Sequence, residues 1–165
     1  MIYTESGEAM PTPRPEPPTQ EARSVRNPQP GVAPPVLIGA FAPAALARVA
    51  RYGDGFLSAA PLQWAGTLID QVHEQWEQAG RRGRPRVVCQ VNVAVGDTRT
   101  LDAAGAAIAD YYAFTGRQGW GSPITDPDKI TETIDGYRAL GVDELVLYCY
   151  SDNADQIEEL ADLAL

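Results

Sequence analysis

The fold is decided by one stretch of the sequence, which runs Pro34-Pro-Val-Leu-Ile-Gly-Ala-Phe-Ala-Pro-Ala-Ala-Leu-Ala-Arg-Val-Ala-Arg-Tyr-Gly-Asp-Gly-Phe-Leu57. It predicts a short apolar strand over residues 35–39, a turn of small residues, a helix over residues 43–52 and a second strand over residues 55–58. Proline at the start of the helix fits this prediction, because the N–H that proline lacks has no partner in the first turn of a helix. A strand, a helix and another strand in this order indicate an α/β fold.

The same alternation of a short apolar run and a helical pattern continues to the end of the chain. The elements predicted after the second strand are a helix over residues 64–79, a strand over 86–95, helices over 101–114 and 126–140, a strand over 144–149 and a helix over 154–165. This makes about four βα units. Parallel strands joined by such crossovers form either an open doubly wound sheet or part of a closed barrel, and the spacing alone does not choose between them.

The strand over residues 86–95 alternates, and its two faces differ in chemistry. Val87, Cys89 and Val91 lie on one face, whereas Gln90 and Asn92 share the other. Because both amides face the same side of the strand, they are candidates to bind a ligand there. Pairing with neighbouring strands is the alternative, because buried amides are usually hydrogen-bonded within the protein.

The composition excludes several classes of function. The net charge is −9, with 22 acidic against 13 basic side chains, so a surface for nucleic acid or an anionic membrane is not expected. No apolar run is long enough to span a membrane and no signal sequence is recognisable, so we expect a soluble, cytoplasmic protein. Cys89 and Cys149 lie in apolar strand-like runs, which indicates small buried side chains rather than a disulfide.

The first part of the chain differs from the rest. Nine of the 14 prolines fall within the first 35 residues, where apolar periodicity is almost lacking. Residues 1–34 are therefore predicted to be a disordered, Pro-rich segment, and residues 35–165 to form one domain. A proline-rich ligand for another domain is the alternative interpretation of this segment.

Single residues do not suggest a mechanism. His73 is the only histidine, so a metal cluster with several histidines is excluded and no metal is expected. It lies within a predicted helix beside the apolar stripe, which indicates a packing role. Asp54 of the Gly-Asp-Gly turn is interpreted as a residue that shapes the loop rather than as an acid.

The stretch from Pro34 to Leu57 resembles the luciferase-like, flavin- or deazaflavin-dependent monooxygenase family. A second resemblance lies in Asp126-Pro-Asp-Lys-Ile-Thr-Glu-Thr-Ile134 together with Gly141-Val-Asp-Glu-Leu-Val-Leu147, and a weaker one in the Arg-rich hinge over residues 81–84. The resemblance covers residues 34–165. It implies the C-terminal half of a (β/α)8 TIM barrel, that is, the fifth to eighth βα units.

The resemblance also implies FMN or a deazaflavin at the carboxyl ends of the strands, where the active sites of such barrels lie. The residues predicted to contact this cofactor are Gly39, Ala40, Phe41, Ala42 and Ser58. The family commonly has a second glycine and another small residue in place of Ala40 and Phe41. Other residues expected at this end are Ala59, Ala60, Tyr150 and Ser151. The loop over residues 115–122 with Trp120 is interpreted as a lid or as packing on a neighbouring helix, and no catalytic residue is assigned.

Two functions follow as hypotheses. By resemblance, the chain is an oxidoreductase in which reduced flavin and oxygen oxygenate a small organic substrate, or in which a deazaflavin carries hydride. Four βα units leave two sheet edges open, so a homo-oligomer or a complementary half-barrel is expected as a partner. The alternative is a non-catalytic or truncated half-barrel that pairs with itself or with a separate N-terminal half.

Overall fold

A computed structural model describes residues 34–116 and 121–164 of the chain. The chain divides into two units, residues 1–34 and 35–165, and the description concerns the second. The disorder predicted for the Pro-rich segment and the role predicted for Trp120 lie outside the described residues.

Four strands occur in residues 34–116 and 121–164, and they form one parallel sheet in which each strand pairs with the next in the chain. They are β1 (Leu37–Gly39), β2 (Gly55–Ser58), β3 (Arg86–Val93) and β4 (Glu144–Cys149), in the order β1-β2-β3-β4. A doubly wound sheet reverses its order at a switch point, whereas a β/α barrel adds every strand on the same side of the one before. The predicted α/β fold, part of a TIM-type barrel, is confirmed by this unbroken order.

Among the described residues, five helices accompany the sheet, and each predicted helix is present. They are α1 (Pro43–Tyr52), α2 (Leu62–Gln78), α3 (Thr98–Tyr111), α4 (Pro127–Ala139) and α5 (Gln156–Ala164), with a 3-10 turn over Ala113–Thr115. The predicted start of α3 at Leu101 was wrong: Asp97 accepts a hydrogen bond from the Thr100 N–H at 2.8 Å and caps the helix three residues earlier. In the described part of the chain, no helix is long and apolar enough to cross a membrane.

The strand β3 ends at Val93, two residues before the predicted end, because its next peptide group bonds to a loop. The Ala94 N–H donates to the Ile124 carbonyl at 3.0 Å, and the Ile124 N–H donates to the Asn92 carbonyl at 2.9 Å. In β3 the N–H and C=O groups of even-numbered residues face β2, since the Arg86 N–H donates to the carbonyl of Asp54, which directly precedes β2. Ile124 therefore continues the position of β2 beyond the end of that strand.

The core lies between one face of the sheet and the helices. Ile38, Phe56, Val87 and Leu145 point to this face and pack with Leu46 of α1, Ile69 of α2 and Tyr137 of α4. A second cluster joins Val93 and Val95 to Ile130 of α4 and Leu160 of α5. Because side chains alternate along a strand, Gly39, Leu57, Gln90 and Tyr148 point to the opposite, inner face.

Arginines hold the amino-terminal edge of the sheet. Arg81 donates to the carbonyls of Ala50 and Gly53 at 3.0 and 2.9 Å, at the end of α1, and its guanidinium lies 3.8 Å from the centre of a Trp76 ring. Arg84 pairs with Asp143, whose carboxylate also accepts the Val87 N–H at 2.8 Å. The Arg-rich hinge is thus a structural connection between α1, β3 and β4.

Candidate functional site at the carboxyl edge

The predicted site residues come together at the carboxyl ends of the strands, and this edge is stepped. The register pairs Gly39 with Leu57 and Leu57 with Val88, while Ser58 pairs with Cys89. The strands β1 and β2 therefore end four to five residues before β3 does at Val93. As a result, the ends of β3 and β4 extend beyond the turns that follow β1 and β2.

The turn after β1 contains four of the five residues predicted to contact a cofactor. Gly39 and Phe41 are exposed, whereas the Ala40 methyl group is buried in the core on the helix side. A Cβ on Gly39 would meet only the Leu57 carbonyl oxygen, at 3.6 Å, so the inner face is open above this residue. Ala42 accepts the first hydrogen bonds of α1 through its carbonyl and supplies no side-chain cap.

Ser58, the fifth predicted residue, is buried and shapes the loop after β2. Its Oγ accepts a hydrogen bond from the Ala60 N–H at 3.2 Å. The Ala60 carbonyl in turn accepts from the Tyr137 hydroxyl at 2.7 Å. Tyr137 lies within a predicted helix, but the sequence gives no sign of its hydrogen bond to a loop 77 residues earlier in the chain.

The two amides of β3 have different surroundings. The Asn92 Nδ2 donates to the Gly121 carbonyl at 2.8 Å, so this side chain holds the loop that precedes α4. Gln90 lies half-buried on the inner face and has no side-chain hydrogen bond to any described residue. Of the two, Gln90 is the one whose amide remains available to a ligand on that face.

The segment between β3 and α4 lies across this edge rather than returning along the sheet. At the start of α3 the Thr100 Oγ1 accepts from the Asn153 Nδ2 at 3.1 Å, in the loop after β4. At its end the Tyr111 ring lies 6.0 Å from that of Tyr150, just beyond β4. Both ends of α3 therefore contact the carboxyl edge of β4, and α4 is the helix that completes the crossover. Neither point was evident from the sequence, which predicted two successive helices.

A cleft of about 260 Å³ opens between the start of α3 and the loop after β4. It is lined by Asp97, Arg99, Thr100, Ala103, Ser151, Asp152 and Asn153. Hydrogen bonds from the Thr100 backbone and side chain lower the pKa of Asp97, which keeps this carboxylate ionised. Ser151, predicted to lie at this edge, lines the cleft.

The remaining single residues have structural surroundings. Asp54 accepts the Val36 N–H at 2.8 Å and so shapes the turn between α1 and β2, as predicted. His73 lies on α2, and its Nε2 is buried with no hydrogen-bond partner among the described residues. Both cysteines are free; Cys89 is buried as predicted, whereas Cys149 is only half-buried. Burial raises the pKa of the Cys89 thiol to about 11.

Comparison with solved structures shows the same fold in longer proteins. One is an F420-dependent secondary alcohol dehydrogenase in complex with an F420-acetone adduct, with a TM-score of 0.62, 14% identity, and coverage of 83% of this chain and 51% of the other. DmoA from Hyphomicrobium sulfonivorans gives a TM-score of 0.58 at 15% identity, and the match covers 84% of this chain and 42% of DmoA. The EDTA monooxygenase EmoA from Chelativorans sp. BNC1 gives a TM-score of 0.52 at 14% identity, and the match covers 83% of this chain and 47% of EmoA.

The chain thus spans about half the length of these structures or less. No match is found among curated protein sequences. A sequence profile described as luciferase-like monooxygenase matches residues 5–146, which is well over half of the chain. The chain belongs to the luciferase-like monooxygenase family.

Proposed function

We propose that this chain supplies the C-terminal half of a flavin- or deazaflavin-dependent oxidoreductase that acts on a small organic substrate. The observation that carries the proposal is the family match, since the fold alone would suit many functions. The similar structures support a coenzyme of this general kind, because one of them is a complex with an F420 adduct and another is a monooxygenase. FMN and a deazaflavin remain the two coenzymes to be compared.

The turn after β1 fits the uncharged part of such a coenzyme. Gly39 is exposed with open space above it, and the N–H of Ala44 in the first turn of α1 has no partner among the described residues. A free N–H at the start of a helix favours an oxygen-rich ligand. The turn contains no lysine or arginine, so it supplies neutral donors, and groups outside the turn would balance a phosphate charge. When bound, the coenzyme would supply the redox chemistry, and these residues would orient it.

The inner face of the sheet supports a proposal about the partner. Leu57 and Tyr148 expose apolar surface there, and β1 and β4 each have one edge without a neighbouring strand among the described residues. Open strand edges and exposed apolar surface favour association. We propose that a complementary half-barrel, either a second copy or the N-terminal half of a related enzyme, covers this face and completes the substrate site.

The coenzyme proposal is tested by titrating FMN and F420 into the chain while the coenzyme fluorescence is followed. The titration is done with the chain alone and with a purified N-terminal half of a related enzyme. We expect weak binding alone and tighter binding in the mixture. The variant Gly39→Leu should weaken binding, because its side chain would occupy the open inner face above the turn.

The matched control is Gly105→Leu on α3, because an added Cβ at Gly105 meets no atom within 4 Å and so does not clash either. Equal binding by the two variants and the unchanged chain would remove the turn from the site. No binding of either coenzyme in any mixture would contradict the proposed function itself. The partner proposal is tested by light scattering, where a stable monomer at all concentrations would exclude pairing with a second copy.

A further inference from the structure

Five aromatic side chains form a continuous row at the carboxyl edge, and only one of them, Tyr148, belongs to the inner face that we propose a partner covers. The aromatic row consists of Phe114, Tyr112, Tyr111, Tyr150 and Tyr148, with successive ring centres 6.5, 4.9, 6.0 and 4.9 Å apart. These spacings are those of interacting aromatic pairs. The row runs from the turn after α3 to the inner face of β4.

The rings of the aromatic row are open to ligands rather than packed in the core. Tyr111 is 60% exposed, Tyr148 is 45% exposed and Phe114 is 82% exposed. None of the five belongs to the two core clusters. Clustered exposed aromatic side chains in a soluble domain mark binding surfaces more often than chance. Successive rings are inclined to one another by 29°, 87°, 55° and 52°, so a flat molecule can stack on one or two rings rather than along the whole row.

Four of the five rings in the aromatic row carry a phenol hydroxyl, and three of these phenols lie near that of Tyr150. The pKa of Tyr150 is raised, first by burial and then by the neighbouring phenols of Tyr112, Tyr148 and Tyr111. A phenol hydroxyl can both donate and accept a hydrogen bond. The surface thus combines flat apolar faces with several neutral polar groups, which suits a ligand that is aromatic and carries uncharged oxygen atoms.

The position of the row is fixed from both sides. Tyr148 lies on β4, and Tyr112 packs against Gly121, where an added Cβ would come within 2.4 Å of its ring. The Gly121 carbonyl is in turn held by Asn92 of β3. The row also lies apart from the turn after β1, because β2 and β3 stand between β1 and β4.

We propose that the aromatic row is the substrate-binding wall and that the substrate is a planar aromatic compound bearing hydroxyl or carbonyl oxygen. The inference rests on the proposed function, in which the turn after β1 faces the coenzyme; the row at β4 adds a place for the substrate on the opposite side of the same edge. The rings stack on the substrate, and the phenols bind its oxygen atoms. A saturated ligand of the same shape loses the stacking.

Equilibrium dialysis of the whole chain with 2-naphthol tests this wall, with decahydro-2-naphthol as the matched saturated probe. We expect 2-naphthol to bind roughly ten times more tightly than the saturated alcohol. Tyr111→Leu and Tyr148→Leu should each weaken 2-naphthol binding roughly 3- to 10-fold, because leucine keeps apolar surface and removes the flat ring. Tyr52→Leu is the control, since Tyr52 is 62% exposed on α1 and lies outside the row.

Each result decides the inference. Equal binding of the two probes, no binding of 2-naphthol, or unchanged binding in both row variants would overturn it. Competitive displacement of 2-naphthol by FMN would also overturn it, because the row would then hold the coenzyme ring. Binding of 2-naphthol that depends on the row, together with no binding of FMN or F420, would uphold the aromatic surface and contradict the proposed coenzyme.

Discussion

The hydroxyl of Tyr137 connects α4 to the loop at the carboxyl edge, and its removal gives a measurable prediction. The hydroxyl donates to the Ala60 carbonyl at 2.7 Å, and each of the two residues is only 1% exposed. Tyr137→Phe keeps the ring in the core and leaves the Ala60 carbonyl buried without this donor. Loss of one partner of a buried hydrogen bond costs about 1–3 kcal/mol.

For a chain of 165 residues, a loss of about 2 kcal/mol lowers the melting temperature by roughly 4–8 °C. Urea unfolding followed by circular dichroism should show a lower midpoint and an unchanged m-value. Tyr52→Phe is the control, because it removes an exposed hydroxyl and should change stability by less than about 0.5 kcal/mol. A Tyr137→Phe variant as stable as the Tyr52→Phe variant would refute the positioning role of the hydroxyl.

Three further predictions concern the thiol, the edge loop and the acid limit. Burial raises the pKa of Cys89 from 9.0 to about 11. The buried neutral thiol therefore contributes its full stability below pH 9 and loses it as the pH rises towards 11, so the stability of Cys89→Ala should fall less over this range in alkaline unfolding curves. In Gly121→Ala the added Cβ meets the Tyr112 ring at 2.4 Å and φ is +74°, so we expect faster hydrogen exchange at the edge loop, and unchanged exchange would contradict the close packing. The pKa of Asp143 is lowered, chiefly by its hydrogen bond with Arg84, so its contribution to folding stability is present above its unfolded pKa and is lost as the pH falls. Asp143→Asn should therefore make the loss of stability at acid pH less steep, and an unchanged loss would exclude this role.

The fold was largely predictable from the sequence, because its periodicity is local. Apolar runs and helical stripes gave every strand and helix, with errors only at the ends. The predicted end of β3 was two residues too long, since the carbonyl of Ile124 takes the next N–H and Ile124 lies 30 residues away in the chain. The start of α3 was missed because the Asp97 cap precedes the apolar stripe on which the prediction depended.

The candidate site was less predictable, because its contacts join residues that are distant in sequence. The sequence placed the turn after β1 at the carboxyl edge, and that follows from the polarity of parallel strands. It did not bring Tyr111 of α3 beside Tyr150, nor the Tyr137 hydroxyl to the loop after β2. The predicted cofactor contacts of Gly39 and Ser58 stay predictions, although the burial of Ser58 now gives its hydroxyl a structural partner.

By itself, the sequence determined the α/β class, the four βα units and the resemblance to one family, because hydrophobic periodicity and short motifs are properties of neighbouring residues. Only the tertiary structure decided between an open sheet and part of a barrel, because strand order depends on which edges pair. It alone placed α3 across the carboxyl edge and assembled the aromatic row, since those contacts depend on how the segment after β3 packs against the end of β4.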